Sequence, residues 1–137
     1  MAKELVVTDN LTEDMISAGA KLIERLDATS SEVAAALWYY FPEDRGWKLI
    51  IASSKVTSEG PKSFYKQIKE SNKQSEENEK VVFLKDISIT DSNNPLMQLF
   101  KFAVSTGPGI SGIRFSKNSI NGQFIDDSYI YRINIDE

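Results

Sequence analysis

The chain has 137 residues, a formal net charge of −4, 41% hydrophobic and 26% charged residues, and neither cysteine nor histidine. Its size and composition are typical of one folded domain. The two missing residue types exclude disulfides, thiolate and imidazole metal ligands, cysteine nucleophiles and a Ser-His-Asp triad.

The net charge and the lengths of the apolar runs indicate where we expect the protein to be located and which partners are disfavoured. An acidic protein is repelled by phosphate backbones and anionic membranes. The N-terminal residues lack the apolar core of a signal peptide, and no apolar run approaches the roughly 18 residues of a membrane span. We expect a cytoplasmic protein without membrane contact, folded as a single domain over residues 1–137.

The first half of the chain predicts a helix followed by a hairpin. Apolar residues at helical spacing, among them Met15, Leu22 and Leu26, indicate a helix over residues 12–27. Residues 33–41 are apolar on both faces, which is typical of a buried central strand. A loop at residues 42–46 leads to a return strand over 47–53, with Phe41 expected opposite Trp47.

The second half predicts two helices, a lone strand and a second hairpin. Helices are expected over residues 61–73 and 96–104, with a strand over 81–89 between them. Strands over 112–120 and 123–133 flank Asn121-Gly122, the dipeptide that most strongly indicates a two-residue hairpin turn. In that register Ile120 lies opposite Gln123 and Phe115 lies opposite Ser128.

This order, α-β-β-α-β-α-β-β, predicts an α+β fold. We expect a single antiparallel sheet of about five strands with two or three helices packed on it. A fold class does not by itself indicate a function.

Aromatic and arginine side chains suggest a surface for binding another protein, because these residue types are enriched where protein interfaces bind most strongly. A partner patch is expected on the predicted strands, and it could bind another protein or a second copy of this chain. Its candidate residues are Tyr39, Trp47, Arg114, Tyr129, Tyr131 and Arg132.

A basic helix face is predicted on the helix over residues 61–73. Lys62, Lys66, Lys69 and Lys73 are spaced to place their ammonium groups on one side. The simplest interpretation is a solvated face, near Glu70, Glu76, Glu77 and Glu79. The alternative is contact with an acidic partner, and this is the one surface through which nucleic acid would bind.

A glycine-rich loop at residues 105–112 offers a second candidate site. Gly107, Gly109 and Ser111 have backbone N–H groups that can converge on a small anion or nucleotide, with Arg114 and Lys117 nearby. The loop lacks the lysine of a phosphate-binding P-loop. A helix stop followed by a tight turn explains the same residues.

Without histidine and cysteine, catalysis could still use carboxylate, lysine, tyrosine or serine side chains, or a magnesium ion bound by carboxylates. Asp126 and Asp127 opposite Lys117 come closest to a magnesium site, as in a nuclease, but neighbouring strand residues point to opposite faces. We predict no catalytic residues, no bound metal and no cofactor. The favoured function is a non-catalytic protein-binding or regulatory module, and the alternative is a small-anion or nucleotide sensor.

Overall fold

A computed structural model describes residues 3–5, 7–75 and 79–135. The elements are β1 (Lys3–Glu4), α1 (Glu13–Asp27), β2 (Val33–Phe41), β3 (Gly46–Ser53), α2 (Ser54–Glu59), α3 (Pro61–Lys73), β4 (Lys80–Val81), β5 (Ile87–Thr90), α4 (Pro95–Ala103), β6 (Ile113–Ile120) and β7 (Gln123–Ile133). The predicted α+β class is confirmed. None of the helices in these three stretches has the length and apolar character needed to cross a membrane.

Five strands form one sheet in the order β5-β3-β2-β7-β6. The sheet is mixed rather than wholly antiparallel, because β3 and β5 pair in parallel. Helices α2 and α3 lie between these two strands in the chain, and such a crossover returns the second strand in the same direction as the first. Strands β1 and β4 form a separate two-stranded parallel pair.

Helices cover both faces of the sheet, and the residues of β2 contact each side alternately. Ala36 and Trp38 pack in a core with α1 and α3. Leu37 and Tyr39 pack in a second core with Met97 and Phe100 of α4. Burial on both faces accounts for the continuous apolar sequence of this central strand.

The strand expected over residues 81–89 is interrupted, which corrects the prediction. The chain leaves β4 after Val81 and makes a 3₁₀ turn at Leu84–Asp86 before β5 begins. The Asp86 amide donates to the Phe83 carbonyl over 2.9 Å and closes this turn. Val81 and Val82 remain buried, whereas Phe83 and Leu84 are pushed to the surface.

The strand pairing predicted from the sequence is wrong by one residue in the first hairpin and correct in the second. In the first, Tyr40 pairs with Trp47 and Phe41 with Gly46, one residue away from the expected pairing of Phe41 with Trp47. Its turn has four residues, and Arg45 takes the positive φ of 50°. Helix α2, capped by the Ser53 hydroxyl, was not predicted.

The second hairpin has the predicted register, with Ile120 opposite Gln123 and Phe115 opposite Ser128. Asn121 and Gly122 both have positive φ, 48° and 83°, as a type I′ turn requires. Strand β6 forms one edge of the sheet. Within it, the exposed Lys117 also has a positive φ of 50°, which is unusual for a strand residue with a side chain.

A polar aromatic cluster fastens α1 to the middle of the sheet. The Trp38 indole donates to the Met15 carbonyl over 3.1 Å and lies 3.0 Å from the Tyr131 hydroxyl. That hydroxyl donates to the Ile16 carbonyl over 2.6 Å. A side chain at Gly19 would overlap the Tyr131 hydroxyl and would lie 2.9 Å from the Trp38 indole nitrogen. Glycine is therefore required for this close approach of helix and sheet.

The Gly19→Ala variant tests this packing. Alanine ordinarily stabilises a helix relative to glycine. Here we expect a loss of about 2 kcal/mol in the free energy of unfolding, because the methyl group overpacks a closed core. Urea denaturation measures it, with Gly107→Ala as the control, since a Cβ at Gly107 meets nothing within 4 Å. Equal stability of Gly19→Ala and the wild type would contradict the proposed fit.

Alkaline unfolding tests the environment of Tyr131. Burial raises the pKa of its hydroxyl above the ordinary value of 10.0. Above pH 10 the unfolded chain loses this proton while the folded chain keeps it, so stability falls as pH rises. Between pH 9 and 11 we expect the wild type to lose about 1.4 kcal/mol more unfolding free energy than Tyr131→Phe, because over that range only the unfolded wild-type chain releases this proton. Parallel slopes from denaturation between pH 9 and 11 would contradict this.

Candidate functional site: a lysine-rimmed apolar groove

The structure does not bring the six residues of the expected partner patch together at the surface. Tyr39, Trp47, Tyr131 and Arg132 are buried, with at most 9% of each residue exposed. Tyr129 is half-buried against the Tyr131 ring, and Arg114 is exposed. These aromatic rings serve the two cores, since both faces of the central strands are covered by helices.

The glycine-rich loop is held against β7 by its own backbone. The Thr106 amide donates to the Ile133 carbonyl over 2.8 Å, and the Ser111 amide donates to the Tyr131 carbonyl over 2.7 Å. Gly107 and Gly109 are exposed. The Ser111 amide therefore has a partner within the protein, and the expected convergence of three N–H groups on an anion has no support in this geometry.

The two cations expected beside that loop are both paired with aspartates. The Arg114 guanidinium binds Asp127 in a bidentate arrangement at 2.7 and 2.5 Å, which raises the pKa of Arg114. The Lys117 ammonium lies 3.9 Å from Asp126. Within residues 3–5, 7–75 and 79–135, no three acidic side chains gather closely enough to hold a metal ion.

The Arg132 side chain makes a buried set of hydrogen bonds that the sequence did not indicate. Its guanidinium, only 4% exposed, makes a bidentate pair with Asp27 at 2.9 and 2.7 Å. It also donates to the Val33 carbonyl over 3.1 Å and to the Gly109 carbonyl over 3.2 Å. One side chain thus joins the end of α1, the start of β2 and the glycine-rich loop.

An apolar groove lies where α3 ends, beside the interrupted strand. Its volume is about 700 Å³, and one wall is the C-terminal half of α3 while the other is the turn after β4. The lining residues are Lys69, Asn72, Lys73, Ser75, Val81, Phe83, Leu84 and Lys85. The size is that of a cleft for a small ligand or for a short segment of another chain.

The floor of the groove is made of apolar side chains, two of which the fold leaves partly exposed. Val81 is buried, whereas Phe83 is 38% exposed and Leu84 is 37% exposed. Because Phe83 and Leu84 are adjacent and both line the groove, their exposed surfaces form one continuous apolar area there. Our expectation of a continuous strand over residues 81–89 did not indicate this exposure. The signal that was missed is the Phe83-Leu84 pair, which breaks the alternation of a half-buried strand.

Hydrogen bonds fix the two walls of the groove relative to each other. The Asn72 side-chain amide donates to the Val82 carbonyl over 3.0 Å and ties α3 to the turn. The Asn72 side-chain oxygen also accepts from Arg25 of α1 at 3.4 Å, and Arg25 pairs with Glu79 at 2.6 Å. On the far side, the Lys48 ammonium donates to the Lys85 carbonyl over 2.6 Å. The groove is therefore largely preformed.

The rim of the groove is basic, and it continues the helix face predicted from the lysine spacing. Lys62, Lys66, Lys69 and Lys73 are all exposed on α3, whereas Phe64 and Ile68 are buried. Lys73 pairs with Glu70 at 3.5 Å, but both side chains are more than half exposed, so the pair is weak. Glu76 and Glu77 lie outside the described residues. A protein of net charge −4 thus collects several cations around its apolar groove.

Removal of the Arg132 guanidinium tests how much its buried hydrogen bonds contribute to the stability of the fold. The Arg132→Ala variant leaves Asp27 and two carbonyl groups without their donor, so we expect a loss of about 3 kcal/mol in unfolding free energy. The control is Arg114→Ala, which removes an exposed pair and should cost less than about 1 kcal/mol. Urea denaturation of both variants compares the two costs, and a smaller loss for Arg132→Ala would show that the contact is dispensable.

Comparisons with known proteins found no relative for this chain. No protein-family model matches the sequence, and the curated proteins and the solved structures gave no match either.

Proposed function

We propose that the protein is a non-catalytic binding module of regulatory or accessory type. Its lysine-rimmed groove takes a short segment of a partner protein that carries both apolar and acidic side chains. The observation that carries the proposal is the exposed Phe83-Leu84 pair on the floor of a preformed groove of about 700 Å³.

The apolar floor supports a partner that inserts hydrophobic side chains. Burial of apolar surface contributes roughly 25 cal/mol per Å², and short segments commonly bind by placing two or three apolar anchors in such a groove. The hydrogen bond from Asn72 to Val82 keeps the walls in place before binding. A preformed groove reduces the entropy that association costs.

The rim supports acidic residues around those anchors. Lys69 and Lys73 stand on the groove's α3 wall, and Lys66 and Lys62 extend the positive potential along the same helix face. Opposite charge on the partner increases the rate of encounter and excludes basic segments. A single-stranded nucleic acid is the competing ligand, because lysines bind phosphates and the Phe83 ring can stack a base, and the experiment therefore includes one.

The experiment combines a defined probe with capture of the native partner. The probes are two fluorescein-labelled 15-residue peptides of equal length with the same leucine and phenylalanine anchors, one otherwise rich in glutamate and one rich in lysine. We expect anisotropy titrations to show saturable binding of the acidic peptide alone, weakening as salt rises. Leu84→Glu with Lys73→Glu should reduce its affinity by more than about tenfold.

A matched control keeps the result interpretable. Phe102, which is 77% exposed on α4 at the opposite face of the sheet, is replaced by alanine and should leave peptide affinity unchanged. The tagged wild type, the variant that combines Leu84→Glu with Lys73→Glu, and Phe102→Ala are then compared in pull-downs from cells that express the protein. Binding of a single-stranded oligonucleotide of 20 nucleotides is measured for the same proteins. Partners kept by the groove variant would contradict the proposal. So would tight binding of the oligonucleotide that depends on the lysines but not on Leu84.

A further inference from the structure

A second cleft lies on the α4 side of the sheet, away from the lysine-rimmed groove. It has a volume of about 510 Å³ and is bounded by the β2–β3 turn, the start of α4 and the β6–β7 hairpin. None of its lining residues belongs to the groove. We call it the aromatic cleft, after the rings of Tyr39, Phe41 and Phe124 that line it.

The walls of the aromatic cleft present ring surfaces. Tyr39 and Phe41 meet edge to face with their ring centroids 4.8 Å apart. Phe124, next to the hairpin turn, is 57% exposed, although a large apolar side chain is costly to leave in water. Ring faces carry negative electrostatic potential, so they attract cations as well as apolar groups.

Two carboxylates accompany these rings, from Glu43 of the β2–β3 turn and Asp126 of β7. The neighbouring cation, Lys117, lies 3.9 Å from Asp126 and its side chain is 76% exposed, so it neutralises this carboxylate only weakly. The local charge is therefore opposite in sign to that of the lysine-rimmed groove.

The Tyr39 hydroxyl adds a neutral acceptor. Tyr39 is only 9% exposed, yet among the described residues its hydroxyl has no hydrogen-bond partner, and the side chain lines the cleft. Burial raises the pKa of Tyr39, and the charges of Glu43 and Asp126 raise it further, so the hydroxyl stays protonated. Among the described residues, Arg25 Nε alone is a fully buried side-chain nitrogen or oxygen without a partner, so the unpaired Tyr39 hydroxyl is accessible and can accept a hydrogen bond from a ligand in the cleft.

We propose that the aromatic cleft binds a small alkyl diamine or polyamine. One ammonium group donates to the Tyr39 hydroxyl and pairs with Asp126, the methylene chain lies against the Phe41 and Phe124 rings, and the second ammonium group pairs with Glu43. An ammonium held against an aromatic ring gains roughly 0.5–2 kcal/mol beyond its ion pairs. The volume suits a ligand of this size rather than a folded partner.

The test uses 1,4-diaminobutane as the probe and 1,4-butanediol as its neutral counterpart. Titrations followed by amide and aromatic NMR shifts should show saturable binding of the diamine alone, with the shifts centred on Tyr39, Leu96 and Phe124. Replacing Glu43 by Gln, Asp126 by Asn or Phe124 by Ala should each weaken binding by about five- to tenfold. Lys117→Gln removes a competing cation and should tighten it about twofold.

The control for general charge attraction is Glu24→Gln, an exposed carboxylate on α1 on the other side of the sheet. It should leave the affinity unchanged, and the thermal midpoint of each variant shows that the fold is kept. Three results would overturn the proposal. They are the absence of saturation, equal weakening by Glu24→Gln, and shifts centred outside the cleft. Because the lysine-rimmed groove is not involved, this result is independent of the proposed protein partner.

Discussion

The architecture depends on the point at which α1 touches the sheet. There the Trp38 indole and the Tyr131 hydroxyl reach the backbone carbonyls of Met15 and Ile16, in a space that only Gly19 leaves open. A buried polar group is costly unless it is fully hydrogen-bonded, so these bonds admit one orientation of the helix over β2 and β7. With α1 fixed, Arg25 can reach Glu79 and Asn72. The contact with Asn72 positions α3, which is one wall of the lysine-rimmed groove.

Two surfaces of opposite character follow from this arrangement of layers. Helix α3 lies on the α1 side and contributes a row of lysines beside an uncovered apolar floor. Helix α4 lies on the other side and leaves an aromatic cleft with two carboxylates beside its first residues. The lysine-rimmed groove does not use the central strands, whereas the aromatic cleft uses Tyr39 and Phe41 at the end of β2 and the start of β7. The remaining walls of both surfaces come from turns and helix ends, where the chain is free to vary without loss of the core.

Periodicity and turn chemistry predicted most of the elements, because these are local properties. The apolar stripe of α1 and the Asn121-Gly122 turn needed no knowledge of distant residues. The candidate sites were harder to predict because exposure depends on the whole fold. Tyr39, Trp47 and Tyr131 have the composition of an interface and are buried. Phe83 and Leu84 have the composition of a strand, but they lie at a 3₁₀ turn that follows the contact of Asn72 with Val82, two residues ten apart in sequence. The lysine face was visible in the spacing, whereas the apolar floor beside it was not.

The left-handed backbone at Lys117 affects more than the local shape of β6. As an edge strand, β6 presents unpaired backbone groups on which a strand of another molecule can extend the sheet. A residue with φ of 50° interrupts the straight row of donors and acceptors, and its ammonium group must be desolvated before a neighbour can approach. Such features are common in natural sheets, where they oppose edge-to-edge aggregation. The positive φ of Lys117 is thus a local feature of the kind that makes an edge strand a poorer template for pairing with another strand.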